Sequence, residues 1–151
     1  MASHHHPHQG GGSALSTSAQ AILHCLTGCA IGEVAGLAIG VELALGAWPT
    51  AILATVLAYL SGFALGLVPV MRREGLSFGA ALRLIWIGEA LSIGVMELVM
   101  NLVDWHMGGM DAPSALSWVF WRGLLFAVPA GFLAAWPVNY WLIKRELKAC
   151  H

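Results

Sequence analysis

Residues 48–70 read WPTAILATVLAYLSGFALGLVPV, an unbroken apolar block. A hydrocarbon core of about 30 Å is crossed by about 20 such residues in a helix. Three further blocks lie at residues 19–44, 78–103 and 115–143, and each is long enough to cross. Lipid cannot satisfy free backbone N–H and C=O groups, so every span is expected to be helical. The expected fold class is therefore all-α: a polytopic membrane protein with four transmembrane helices in an antiparallel bundle.

Composition points the same way. Of the 151 residues, 58% are hydrophobic and 10% are charged. Soluble domains sit near about 45–50% and about 25%, and a small soluble fold has too little interior to hide the excess. The formal net charge is −1, so no basic field argues for nucleic acid. The three cysteines, Cys25, Cys29 and Cys150, are too few and too oddly placed for a disulfide framework. No Lys or Arg precedes the first block, so it is read as a retained span and not as a signal peptide.

Domain organisation follows from the blocks. Residues 1–18 read as a disordered His/Gly-rich tail, 19–145 as the membrane domain and 146–151 as a short C-terminal tail. The N-terminal tail holds His4, His5, His6 and His8, broken by Pro7. It reads as a metal-attracting tract or as a cloning remnant.

Arg72, Arg73, Lys144, Arg145 and Lys148 fall on one side of a four-span chain, with Arg83 in the first turns of the third span. The other two links contain no Lys or Arg. This bias places both termini in the cytoplasm of a cell whose inner (plasma) membrane holds the protein. Trp48, Trp105, Trp118 and Trp121 would then belt the outer interface, and Trp136 and Trp141 the inner one.

Gly28, Gly32, Gly36 and Gly40 recur every four residues, along one face of the first span. Small residues let a second backbone approach closely. Gly62 and Gly66 in the second span form a matching strip, and Gly123, Ala127 and Gly131 another in the fourth. The strips predict tight packing within the bundle; a homo-oligomer through the first span is the alternative.

Ionisable groups inside spans are costly and mark function by default. Cys25, Cys29 and Glu33 share a stripe beside the glycines, with His24 adjacent. Glu89, Ile93, Glu97, Asn101 and Asp104 form a stripe in the third span, flanked by Met96 and Met100. Arg122 and Asn139 stand out in the fourth, and Arg122 lies at a depth that suggests a salt bridge to Glu97. Thiolates and thioethers select soft metals, above all Cu(I). His24, Cys25, Cys29, Glu33, Met96, Met100, His106, Met107 and Met110 are the candidate metal residues, with copper the candidate ion. Plain packing is the competing reading of each Met and Cys. The Cys-x-x-x-Cys spacing differs from the Cys-x-x-Cys of redox motifs.

At these residues the chain resembles a known family. The stretch from His24 through Cys25, Gly28, Cys29 and Gly32 to Glu33 looks like the signature of a small bacterial and archaeal membrane family catalogued as a domain of unknown function. Leu91-Ser92-Ile93 followed by Met96-Glu97, and Pro137-Val138-Asn139 followed by Trp141-Leu142-Ile143, agree with it. The resemblance covers residues 20–145. It implies a four-helix membrane domain, sometimes carrying copper-related labels, and no established activity. The family pattern reads Met-Glu-x-x-Asp-Asn in the third helix. Here Met100 replaces the carboxylate ahead of Asn101, which would soften the site.

The expected function is binding or transport of a soft transition-metal ion, Cu(I) first. A non-transporting structural or assembly partner is the alternative, and a membrane thiol–disulfide protein a weaker one. No nucleotide motif, nucleophile elbow or zinc-hydrolase signature is present, so no enzyme activity is expected. The expected partners are membrane lipid, the metal ion and a second copy of the chain.

Overall fold

The computed structural model describes residues 11–145, including the side chains of residues 26–142 except 69 and 73, and those of 144 and 145. It is all-α. Four helices follow in order: α1 (Gly11–Glu42), α2 (Ala47–Glu74), α3 (Phe78–Met107) and α4 (Trp118–Lys144), with no strand among the described residues. By length and composition two of them, over Ala47–Arg72 and Trp118–Leu142, suffice to cross a membrane.

Two boundaries depart from expectation. Residues 11–18, expected to be disordered, are the first two turns of α1. Ala14, Leu15, Ala19 and Gln20 are good helix formers, and adding a turn to an existing helix avoids the cost of a new nucleus. The calls on residues 1–10 and 146–151 lie outside the described residues. The fourth helix begins at Trp118, three residues later than its apolar block. The Ser117 hydroxyl accepts the Phe120 N–H at 3.4 Å, the bond an N-cap serine makes to a free amide of the first turn.

Glycines end α2 and α3. Gly75 (φ 61°) and Gly108 (φ 78°) take the left-handed conformation that closes a helix. After α3, the Gly108 N–H bonds the Trp105 carbonyl at 3.1 Å and the Gly109 N–H bonds the Asp104 carbonyl at 2.9 Å. Pro129 and Pro137 lie inside α4, with their rings on its exposed face.

The helices pack as two antiparallel hairpins, α1 on α2 and α3 on α4. Gly28 faces Gly62, Gly32 faces Leu57 and Ala58, Gly36 faces Ala54, and Gly40 faces Thr50. The glycine strip of α1 is therefore consumed inside one chain, and it is not free for a second copy. The Ser61 hydroxyl bonds the Gly28 carbonyl at 2.7 Å across this contact. Gly66 departs from the expected strip: it faces Glu89 and Ile85 of α3, not α1. In the second hairpin Gly131 faces Met96 and Met100, and Gly123 faces Asp104. Tyr59 joins the hairpins by donating to the Ala90 carbonyl at 2.9 Å.

Candidate functional site

The interior between α1 and α3 is polar where a bundle of this composition would be expected to be apolar. On α1, Cys29 and Glu33 are 0% exposed; on α3, Met96, Met100 and Asp104 are 0% and Glu97 is 2% exposed. Helical spacing sets their order. Glu97 and Asp104 are seven residues apart, two turns on one face, or about 10 Å. Glu89 is eight residues from Glu97 in the other direction, about 12 Å. The α3 stripe expected from the sequence thus faces inward, except at Asn101. That residue is half-buried and donates to the Thr55 hydroxyl at 3.2 Å and to the Glu97 carbonyl at 2.9 Å.

Two carboxyl groups meet at the centre. The Glu33 side chain from α1 lies within hydrogen-bonding reach of the Glu97 side chain from α3. No backbone or side-chain N–H or O–H of a described residue reaches either Glu33 oxygen. Asp104 is close enough for the charge of Glu33 to act on it, and neither of its oxygens has a hydrogen-bond partner among the described residues. Gly109 and Gly123 cradle this carboxyl, since a Cβ on either would collide with it. A charge in such surroundings is tolerated only when something balances it.

The soft donors sit beside the carboxyls. The Cys29 sulfur and Ile93 together cover Gly62 of α2. Met96 and Met100 turn toward α4 and wrap Gly131, with the Met100 sulfur 3.0 Å from where its Cβ would be. All three belong to one core cluster. The remaining metal candidates do not join them. His106 is exposed, with Nδ1 2.7 Å from the Leu102 carbonyl of its own helix. Met107 is half-buried at the end of α3. Met110 packs with Leu37, Val41 and Phe120 in a separate cluster. The side chains of His24 and Cys25 lie outside the described residues. Among the described residues no three His, Cys, Asp or Glu side chains gather as a metal site, so a metal in this interior would depend on thioethers.

Arg122 does not reach Glu97 as the sequence suggested. Its Nη2 donates to the Met107 carbonyl at 2.8 Å, one of the carbonyls left open at the C-terminus of α3. A cation there also opposes the negative end of the helix dipole. Arg122→Leu is therefore expected to lower stability by about 1.5–3 kcal/mol, the usual loss of a charged-donor hydrogen bond. Arg122→Lys should keep part of it. Thermal denaturation in detergent measures both, and an unaffected Leu variant would refute the capping role.

Three residues absent from the sequence candidates contribute. Ser92 is fully buried and accepts the Asn139 amide at 2.6 Å, which gives the buried asparagine a partner. Asp104 lay on the acidic stripe but was not a candidate; the signal was its two-turn spacing from Glu97. Glu42 accepts the Ser114 hydroxyl and the Ala115 N–H, both at 2.8 Å, tying the end of α1 to the α3–α4 link.

Residues 16–148 match the family described as Domain of unknown function (DUF4396). The chain belongs to this family. The match covers all of α2, α3 and α4 and most of α1, so the carboxyl pair, the thioethers and the Asp104 cradle all lie within the DUF4396 domain. No curated protein and no solved structure matches the chain.

Proposed function

We propose that this DUF4396 protein spans the membrane four times and that its interior binds and passes a soft cation, with Cu(I) the ion its donors favour. The single observation that carries the reading is the buried meeting of Glu33 and Glu97 beside Cys29, Met96 and Met100. Carboxylates supply negative charge, and thiolate and thioether sulfurs supply the preference for Cu(I).

Four spans are supported by the outer faces of all four helices. Ile31 on α1, Ile52 and Leu60 on α2, Leu98 on α3, and Leu125 and Leu133 on α4 are each 59–64% exposed. Patches of this kind on every helix suit lipid, not water. The Lys and Arg bias supports cytoplasmic termini in the plasma membrane. Under that orientation Cys150 is cytoplasmic, and a membrane-impermeant thiol reagent on intact cells should leave it unlabelled. Rapid labelling from outside would reverse the topology.

The ion path then runs from Asp104, nearest the outer face, through Glu97 and Glu33 to Cys29 and onward to Cys25 and His24 by sequence position. Binding strengthens inward as thiolates replace carboxylates and thioethers, so a bound ion dwells at the cytoplasmic end of the path. Copper retention by the purified protein after anaerobic Cu(I) loading and desalting tests the site. Cys25→Ser with Cys29→Ser, or Met96→Leu with Met100→Leu, should remove most of it. Retention unchanged in both double variants would overturn the reading. The packing of Met96 and Met100 on Gly131 favours a second reading, in which these residues only fill the bundle; that reading predicts no copper and a loss of stability alone.

A further inference from the structure

A groove of about 460 Å³ lies along the outside of α2 and the start of α3. Val56, Leu60, Ala64 and Leu67 line it from α2, and Phe78 and Leu82 from α3. Its lining on α2 runs from residue 55 to residue 67, a length of about 18 Å along the helix. That is a slot for one extended hydrocarbon chain. α2 and α3 are joined by the short turn at residues 75–77, so the Phe78 end of the groove points toward the basic end of the bundle.

The residues at that end carry charge of one sign. Arg72 is exposed five residues past Leu67, the last α2 residue of the lining, so it stands beyond the groove at the basic end of α2. Arg83 follows Leu82 and is also exposed. With Arg73 and against Glu74, the turn remains basic on balance. Apolar slot and basic rim are the two halves of a phospholipid with a negative headgroup, and the cytoplasmic leaflet is where such lipids attract juxtamembrane arginines.

We infer that this groove holds one acyl chain of an anionic phospholipid whose phosphate sits at Arg72 and Arg83. The inference rests on the membrane reading and is independent of the copper reading. The α2–α3 contact is thereby sealed by lipid, and the lipid ties the first hairpin to the second.

Native mass spectrometry of the detergent-purified full chain tests it, with dioleoyl phosphatidylglycerol or dioleoyl phosphatidylcholine added at equal concentration. The glycerol lipid should remain bound about thirtyfold more than the choline lipid, the preference two interfacial arginines supply. Arg72→Gln with Arg83→Gln should bring the two lipids to parity. Ala64→Trp should fill the slot and reduce both adducts. Lys144→Gln, on the same side but off the groove, should leave the preference intact. A preference that survives the arginine pair, or adducts that survive Ala64→Trp, would overturn the assignment. So would a protein dimer that Ala64→Trp dissociates, which would put a second copy in the groove. A chain that fractionates as soluble protein would instead remove the membrane reading itself.

Discussion

Gly36→Leu is expected to abolish the folded bundle, and Gly36→Ala to cost about 3 kcal/mol, the upper part of the range for overpacking. The reason is that α1 and α2 touch backbone to backbone. A Cβ at Gly36 would collide with the Ala54 backbone, and one at Gly32 with the backbone of Leu57 and Ala58. Neither obstacle is a side-chain end that could swing away. Gly79 supplies the control. It lies in the first turn of α3 with nothing within 4 Å of its would-be Cβ. Gly79→Ala should therefore raise stability by about 0.5–1 kcal/mol through helix propensity alone. Melting temperatures in one detergent compare all of these variants. Intact melting of Gly32→Leu and Gly36→Leu would mean that this face meets lipid and the hairpin is packed otherwise.

Gly123→Ala should be almost as damaging, at about 3 kcal/mol, but for a different cause and with a specific rescue. Its methyl would occupy the place of an Asp104 carboxyl oxygen. Asp104 is fully buried and α3 holds its backbone in place, so the carboxyl has little room to turn. Asp104→Ala removes the obstacle, and the Gly109 Cα, 3.1 Å from the new methyl, needs only a slight shift. The double variant should thus be more stable than Gly123→Ala alone. The expected coupling is about 2 kcal/mol, within the range for residues in direct contact. Additive effects would show that the two positions do not touch. The same pair bears on function: if Asp104 begins the ion path, the stable double variant should fold yet lose transport.

Much of this was legible in the sequence. The apolar blocks located all four helices because lipid-length runs leave few alternatives. The α1 glycine strip predicted the closest contact in the bundle, since only glycine lets two helix backbones touch. The acidic stripe of α3 faced inward as its spacing implied. What could not be read was the neighbour that each side chain meets. Met96 and Met100 lie one residue off the stripe, a rotation of about 100°, and that suffices to turn them from α1 toward α4. Arg122 and Glu97 share a depth, but depth says nothing about azimuth around the bundle, and the nearest acceptor for Arg122 was a helix-end carbonyl. Met110 looked like an outer ligand, yet the turn after Gly108 folds it back under Phe120. Ser117 set the start of α4 through one capping bond, a local choice that hydropathy does not register.

The central claim is that Glu33, Glu97, Cys29 and the two thioethers form one route for a soft ion. The most direct measurement is Cu(I) entry into liposomes that contain the purified protein and a trapped chelating dye. The unmodified chain should admit Cu(I) faster than protein-free liposomes. Glu33→Gln with Glu97→Gln, and Cys25→Ser with Cys29→Ser, should each abolish the excess while the proteins still melt cooperatively. Met107→Leu with Met110→Leu, which lie off this route, should leave the excess unchanged. If the unmodified protein admits no Cu(I), or if the carboxyl and cysteine variants conduct normally, the route does not exist and the buried donors serve packing alone.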